Sequence, residues 1–456
     1  MNIIILGAGQ VGRSAATQLA REPANEVTVV DTHEDVLREL QDHLDIRTVA
    51  GNGSYPSVME AAGIADADVL IALTNSDEVN IVACEIASAL YRTPTRIARI
   101  RAAEYTTHPR LFNDGALAVG VWLSPEQLVT DYVANLMRYP GALQVVDFAD
   151  GRVQLVGVRA QRDGLLVGRQ LRELREHLPN TDARVAAIYR NERLVQPDGD
   201  VQIEENDEIF FVAATDDLRK VFAELRRNED PVRRVVIAGG GNVGFRLAQS
   251  LESSHQVKLI ERDTRRAHQI SERLDNTIVL NGDAADEELL IEENIDSADV
   301  FAALTNSEEA NIMSSLLAKR LGARRVMALV NRPAYGELME NRGIDIVISP
   351  QTITIGSLLA HVRRGDVVKV HSVRRGMAEA LEAIVHGGAG HANLVGMQVE
   401  QVKLPEGAVI LALVRGEEVI MAHHDTQIAA EDHVIVFVTD RRHVEAIERL
   451  FQGTEP

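Results

Sequence analysis

The run NIIILGAGQVG, Asn2 to Gly12, decides how this chain folds. Four apolar residues, Ile3 to Leu6, stop at a glycine, and Gly7, Gly9 and Gly12 are spaced as in a strand that turns sharply into a helix. In that arrangement the first glycine permits the turn, the second lets a pyrophosphate approach the backbone, and the third lets helix and strand pack closely. The free amides of the helix start, with the helix dipole, form an anion site that needs no basic side chain. VTVVD follows at Val27 to Asp31. Asp31 thus ends the next strand about 20 residues past the last glycine, where a carboxylate accepts hydrogen bonds from ribose hydroxyls and disfavours a 2′-phosphate. NAD is preferred to NADP.

The pattern then repeats. RVVIAGGGNVG returns at Arg234 to Gly244, VKLIE at Val257 to Glu261, GDA at Gly282 to Ala284 for GNG at Gly51 to Gly53, and ALTNSEEAN at Ala303 to Asn311 for ALTNSDEVN at Ala72 to Asn80. Two homologous halves are fused in tandem. Each opens with short apolar runs alternating with helical-period segments, the pattern of βαβ units. Strands are expected at Asn2 to Leu6, Val27 to Val30, Arg47 to Ala50, Val69 to Leu73, Arg96 to Arg101 and Val119 to Leu123, with six counterparts from Arg234 to Ile348. Ser124-Pro125 and Ser349-Pro350 each start a helix that leaves the sheet. Short β runs with turns come next: Leu143 to Phe148, Val153 to Val158, Val185 to Arg190 and Glu208 to Ala214 in one half, Val367 to Val373, Val409 to Arg415, Glu418 to Ala422 and a run from His433 in the other. The fold class is α/β, with two tandem Rossmann-like parallel-sheet domains (1–140 and 230–366), each followed by a small α+β domain (141–229 and 367–456). The polar stretch Arg226 to Pro231 reads as the linker between halves.

Composition removes several function classes. The formal charge is -21, which repels nucleic-acid phosphates and anionic lipid headgroups, so no nucleic-acid partner is expected. The lone cysteine, Cys84, permits no intrachain disulfide and reads as core. No apolar run approaches the roughly 18 to 20 residues of a membrane helix, and the amino terminus goes straight into a strand-like run, so the expectation is a cytosolic chain with neither direct membrane insertion nor a leader. Histidines at His386 to His391 and His423-His424 lack metal-ligand spacing, and no His/Asp or Tyr/Lys constellation stands ready to face a nicotinamide ring.

Further positions have two readings each. Asn52 and Asp283 follow the third strand of each half, where an adenine edge could be read or a turn simply formed. Thr74-Asn75 and Thr305-Asn306 close the fourth strand and could touch phosphate or ribose, or cap a helix. Arg99 ends the fifth strand and could reach a phosphate, or be a solvated surface arginine. In the second half Leu329 stands where the first has Arg99, and Arg262 beside Glu261 weakens the exclusion of a 2′-phosphate.

Taken together, GAGQVG, Asp31, ALTNSDE, the Ser124-Pro125-Glu126 turn and the second full copy resemble the TrkA family, the peripheral regulatory proteins of bacterial Trk potassium uptake systems. The similarity covers essentially the whole chain. It implies that each half is an RCK unit, a Rossmann-like nucleotide domain with a small carboxyl-side domain. It implies a homotetrameric cytoplasmic ring beneath a membrane potassium channel subunit of the TrkH/TrkG kind, with NAD(H), ATP or ADP as ligands and no chemical step. Carried over from the family, the ligand positions are Gly7, Ala8, Gly9, Gln10, Val11, Asp31, Thr74, Asn75 and Arg99, then Gly239, Gly240, Gly241, Asn242, Val243 and Glu261; Gly12, Gly244, Asn52, Asp283 and Thr305 complete the candidate set. The alternatives are an NAD-dependent oxidoreductase and an NAD-sensing adaptor without a channel partner.

Overall fold

The structure is a computed structural model that describes residues 1–22, 24–108, 110–113, 116–178, 181–226, 230–340, 342–362, 367–387 and 394–452. The middle of the expected linker and most of the His386 to His391 run lie outside the described residues. The chain divides into two compact units, residues 1–129 with 349–362, and residues 130–348 with 363–456.

The first unit holds a parallel sheet of β1 (Asn2–Leu6), β2 (Glu26–Asp31), β3 (Arg47–Ala50), β4 (Val69–Ala72), β5 (Thr95–Arg99) and β6 (Val121–Leu123). Its spatial order is β3-β2-β1-β4-β5-β6, so the chain returns across β1 and opens a crevice between the carboxyl ends of β1 and β4. β1 and β4 are nearly continuous apolar runs because helices cover both faces. On one face Ile3, Ile5, Val29 and Ile71 pack with Ala15, Ala16 and Leu19 of the helix Gln10–Leu19. On the other, Ile4, Leu6, Leu70 and Ala98 pack with Ala83, Cys84 and Ala87 of the helix Asp77–Tyr91. Burial pushes the Cys84 thiol up to about 12, as suits a core residue with no reactivity. The helix Pro350–Val362, far away in sequence, completes the first face through Leu358, Leu359 and Val362, so this apolar stripe is filled inside the chain.

The second unit contains three sheets. One is the first small domain, an antiparallel sheet of β7 (Ala142–Phe148), β8 (Val153–Arg159), β9 (Ala183–Arg190), β10 (Arg193–Val195) and β11 (Glu208–Ala214), in the order β10-β9-β11-β8-β7. The next repeats the Rossmann order as β14-β13-β12-β15-β16-β17, from β12 (Arg234–Ala238), β13 (Gln256–Glu261), β14 (Ile278–Asn281), β15 (Val300–Ala303), β16 (Arg325–Leu329) and β17 (Ile346–Ile348). The last, β18 (Val367–Val373), β19 (Ala378–Ile384), β20 (Ala408–Arg415), β21 (Glu418–Met421) and β22 (His433–Val438), has the topology of the first small sheet, β18-β19-β22-β20-β21. Sequence reading found neither β10 nor β19. β10 is three residues long, and β19 reads AEALEAI, whose alanines and glutamates favour a helix until tertiary pairing overrides them.

The two small sheets share one core, in which Phe148, Leu155, Tyr189 and Phe210 pack with Ala380, Leu411, Ile435 and Phe437. Polar groups cross the same joint. Gln144 donates to the Ser372 carbonyl at 2.7 Å and accepts from the Arg374 amide at 3.0 Å. Glu382, almost fully buried on β19, accepts from the Ala149 amide at 2.9 Å and lies 2.6 Å from the His433 ring. His371 meets Phe148 edge-on at 5.2 Å, and its Nε2 is sealed without a hydrogen-bond partner among the described residues. Burial, helped by Lys369 and opposed by the Asp147 backbone, pushes the His371 ring down to about 4 from an ordinary 6.5. The unfolded chain therefore takes up this proton below pH 6.5 while the folded chain does not. Stability from this site is complete above 6.5 and falls as the pH drops towards about 4, by up to about 3 kcal/mol. The difference in urea stability between the parent and His371→Phe should grow across that window, and a difference constant from pH 7 to 4 would remove the account.

No helix among the described residues is long and apolar enough to cross a membrane. None of the described His, Cys, Asp and Glu side chains gather in a group of three that could hold a metal ion.

Candidate nucleotide sites

Each glycine loop sits at the strand-order reversal of its sheet. Gly7 has φ +100°, and a Cβ there would lie 2.9 Å from the Leu73 carbonyl oxygen, so the turn and its closeness to the end of β4 both require glycine. Gly12 is confined differently, since a Cβ would come within 1.9 Å of the Gly7 carbonyl oxygen. Gly9 is the opposite case. It is the residue before the helix Gln10–Leu19, with φ -68° and ψ -175°; among the described residues no side chain caps that helix end, and a Cβ would meet nothing within 4 Å. The space beside Gly9 is open to whatever approaches the free amides of the first turn. Gln10 is exposed and Val11 half-buried next to it, while Ala8 is buried.

Asp31 is fastened to this loop. One carboxylate oxygen accepts from the Ala8 amide at 2.6 Å, and the other accepts from the His33 amide at 2.9 Å with the His33 ring also at 2.9 Å. Burial works to raise this carboxyl, but the amides of Ala8 and His33 and the His33 ring outweigh it and hold Asp31 below the usual carboxylate range. The acid stays ionised, and the oxygen held by the Ala8 amide, which has taken one donor, retains a lone pair for a ribose hydroxyl. Arg13 closes the loop from behind by donating to the Ala8 carbonyl at 3.1 Å.

The second loop copies the first within its own unit. Gly239 has φ +107° against Thr305, Gly244 would put a Cβ 2.0 Å from the Gly239 carbonyl oxygen, and Gly241 again faces open space before an uncapped helix, Asn242–Leu251. Glu261 accepts from the Gly240 amide at 2.7 Å and from the Asp263 amide at 2.8 Å. Asn242 is exposed and Val243 half-buried, as in the first loop. Here Arg266, on another helix, closes the loop carbonyl at Gly240 at 2.8 Å. Arg262 is exposed beside Glu261.

The third and fourth strand ends divide the remaining candidates. Asn52 accepts from the Ser54 amide at 3.0 Å and hydroxyl at 2.8 Å, and Asp283 accepts from the Ala285 amide at 2.9 Å, so both shape turns next to the acid strands. Thr74 is not the cap of the helix Asp77–Tyr91; Ser76 is, accepting from Val79 at 3.2 Å. Thr74 is held by Asn80, whose Oδ1 takes the Thr74 amide at 3.0 Å and hydroxyl at 2.7 Å, while its amide donates to the Arg99 carbonyl at 2.9 Å. Asn75 is exposed, and its carbonyl accepts from Arg101. Thr305 is tied to Asn311 in the same way, and Asn311 donates to the Leu329 carbonyl at 2.9 Å, which fixes Leu329 as the structural counterpart of Arg99.

Sequence reading gave these asparagines no role, although each ends the repeated ALTNS motif; fully buried amides that join two strand ends show only in three dimensions. Arg99 is not a solvated surface residue. Its side chain is 20% exposed, and it lies 3.4 Å from Glu126 at the start of the helix Pro125–Arg138. Burial lowers its guanidinium from the ordinary value, with Glu126 pulling the other way.

The comparisons agree with this layout. The model of the TrkA-N domain matches residues 3–117 and 235–350, and that of the TrkA-C domain matches residues 155–226 and 390–452. Proteins named Trk system potassium uptake protein TrkA are 57% identical in Halomonas elongata, 53% in Vibrio alginolyticus and 48% in Haemophilus influenzae, each over 99% of both chains. Among solved structures, the GsuK RCK domain superposes with a TM-score of 0.63 at 18% identity, over 98% of this chain and 94% of that one. The GsuK channel bound to NAD gives 0.61 at 18% identity, over 100% of this chain and 79% of that one. At such identity these two show the fold, two tandem RCK units. Domain models over both halves and full-length relatives at this identity lead to one conclusion: the chain belongs to the TrkA family.

Proposed function

We propose that the chain is the nucleotide-binding regulatory subunit of a Trk-type potassium uptake system, without a chemical step of its own. The observation that carries this is the pairing, in both halves, of open space at Gly9 or Gly241 with an uncapped helix start and a carboxylate fixed at the next strand end. That cradle fits a dinucleotide or a nucleoside polyphosphate, with phosphates on the amides of Gly9 to Val11 or Gly241 to Val243 and ribose on Asp31 or Glu261. The names of the relatives support the potassium role, and a channel of the same fold bound to NAD supports that ligand, with ATP or ADP at the same pockets.

In this reading residues 1–140 and 230–366 bind nucleotide, residues 141–229 and 367–456 bind the halves together, and four chains form a ring on a TrkH/TrkG-like membrane subunit at the cytoplasmic face. Exposed apolar residues on equivalent helices, Val82 and Leu90 in one half and Met313 in the other, support an assembly face. Nucleotides act by binding one ring shape more tightly than another.

The binding site is tested with the second pocket blocked by Gly241→Val, whose backbone φ of -67° accepts a side chain. In that background Asp31→Arg should weaken NADH binding by about tenfold or more, as expected for losing hydrogen bonds to a charged group. Unchanged NADH titration by fluorescence would place the ligand elsewhere.

A further inference from the structure

The two ribose edges, each built within its own unit, differ in charge. Residues 31–36, which end β2 and start the next helix, hold three acids and neither lysine nor arginine, whereas residues 261–266 hold two acids and three arginines. A phosphate added to the ribose is repelled at the first edge and met by cations at the second. Asp31 is followed by Thr32, then by Glu34 and Asp35 in the first turn of the helix Glu34–His43. Glu261 is followed by Arg262, and both Arg262 and Arg265 are exposed and form no ion pair among the described residues. The acids of the second edge are already engaged. Glu261 accepts from the Gly240 amide with one oxygen and from the Asp263 amide with the other, and Asp263 caps the helix Thr264–Ser271 by accepting from the Arg266 amide at 2.7 Å. The third arginine, Arg266, is committed to the Gly240 carbonyl.

Arg262 is also held in place. Asn281, paired in register with Glu261 at the end of β14, donates to the Glu261 carbonyl at 2.9 Å and the Arg262 carbonyl at 3.1 Å, and accepts from the Thr264 hydroxyl at 3.0 Å. Ala50 fills the same register position opposite Asp31 and has no side-chain donor to offer. A clamped backbone lowers the ordering cost of presenting the arginine to a ligand.

We propose that the second pocket takes a dinucleotide carrying a phosphate on the 2′-oxygen of its adenosine ribose, the NADPH class, with Arg262 as the specificity-determining residue, while the first pocket excludes that class. This rests on the reading of the glycine loops as nucleotide sites. In that reading the ribose lies against Glu261, so its 2′-phosphate stands at the end of β13 beside Arg262 and within the field of Arg265. The planar fork of a guanidinium suits two oxygens of a phosphate at once, whereas Thr32 in the equivalent place offers one hydroxyl and no charge. The charge of Glu261 opposes the phosphate. Two backbone amides already share that charge, and the two arginines outnumber it. The chain then reads two kinds of dinucleotide, only the unphosphorylated kind at the first pocket and the 2′-phosphorylated kind as well at the second.

Calorimetric titration of the full chain with NADH and NADPH tests this, with Gly9→Val leaving only the second pocket and Gly241→Val only the first. The second pocket should bind NADPH within about tenfold of NADH, and the first should bind it at least about a hundredfold more weakly than NADH. Arg262→Thr, which copies the first edge, should weaken NADPH about tenfold more than NADH, and Arg262→Lys should recover part of that difference because the charge returns without the fork. Equal weakening of both ligands by Arg262→Thr would overturn the proposal, since an arginine that only steadies the loop or stacks on the base affects them alike. NADH binding without NADPH binding in the Gly9→Val chain would also overturn it and leave the pocket standing. Failure of both ligands to bind that chain would overturn the proposal together with the reading of the second loop as a nucleotide site.

Discussion

Gly9→Val is expected to fold as the parent does and to bind nucleotide at the first pocket at least about a hundredfold more weakly, since it bars the phosphates from charge-assisted bonds that contribute about 1.5 to 3 kcal/mol each. The backbone there has φ -68°, ordinary for any residue, and nothing among the described residues lies within 4 Å of the added Cβ, so the valine enters free space in the protein and occupied space in the complex. Replacing glycine before this helix costs stability only about 1 kcal/mol or less. Circular dichroism would show the parent melt, and NADH titration in the Gly241→Val background would show the loss. Parent-like affinity would mean that the pyrophosphate does not cross this loop.

Gly12→Val, three residues on, should do the reverse and break the fold of the first unit. Its Cβ would stand 1.9 Å from the Gly7 carbonyl oxygen, a backbone atom that cannot turn aside. Parting the helix from β1 opens the packing of Ile5, Ala15 and Ala16, so the expected loss is more than about 3 kcal/mol. Limited proteolysis should cut within residues 1–129 while the second unit resists. A variant as resistant as the parent in that region would show that the turn yields more easily than its geometry implies. The two glycines look alike in sequence and differ completely in what surrounds them.

Much of this was legible beforehand because the chain is written twice. The apolar runs of β1, β4, β12 and β15, the glycine spacing and the acids at Asp31 and Glu261 are local features, and a parallel sheet covered on both faces leaves a continuous apolar signature. What escaped had no local signature. β19 is spelled with helix formers and holds two buried glutamates, and only its equivalence to β8, which reads VQLVGVR, reveals a strand. β10 could likewise have been inferred from β21.

The helix Pro350–Val362 fills the first sheet's core through Leu358, Leu359 and Val362, a contact that depends on a fold no window of sequence contains. At the sites, Asp31 and Arg99 were visible as residue types at strand ends. The buried amide of Asn80, the Glu126 partner and the loop-closing Arg13 and Arg266 depend on which side chains meet across strands.

The central claim is that a nucleotide in these pockets biases potassium movement through a membrane partner. Rubidium uptake into vesicles holding the membrane subunit and this chain tests it most directly, with NADH, ADP and ATP compared at saturation and nucleotide binding followed by thermal stabilisation in the same samples. The account predicts flux that differs between nucleotides by roughly 5- to 150-fold, equivalent to about 1 to 3 kcal/mol of coupling, and that loses this difference when Gly9→Val and Gly241→Val are combined. Equal flux under every nucleotide, with stabilisation proving that the pockets are filled, would contradict it.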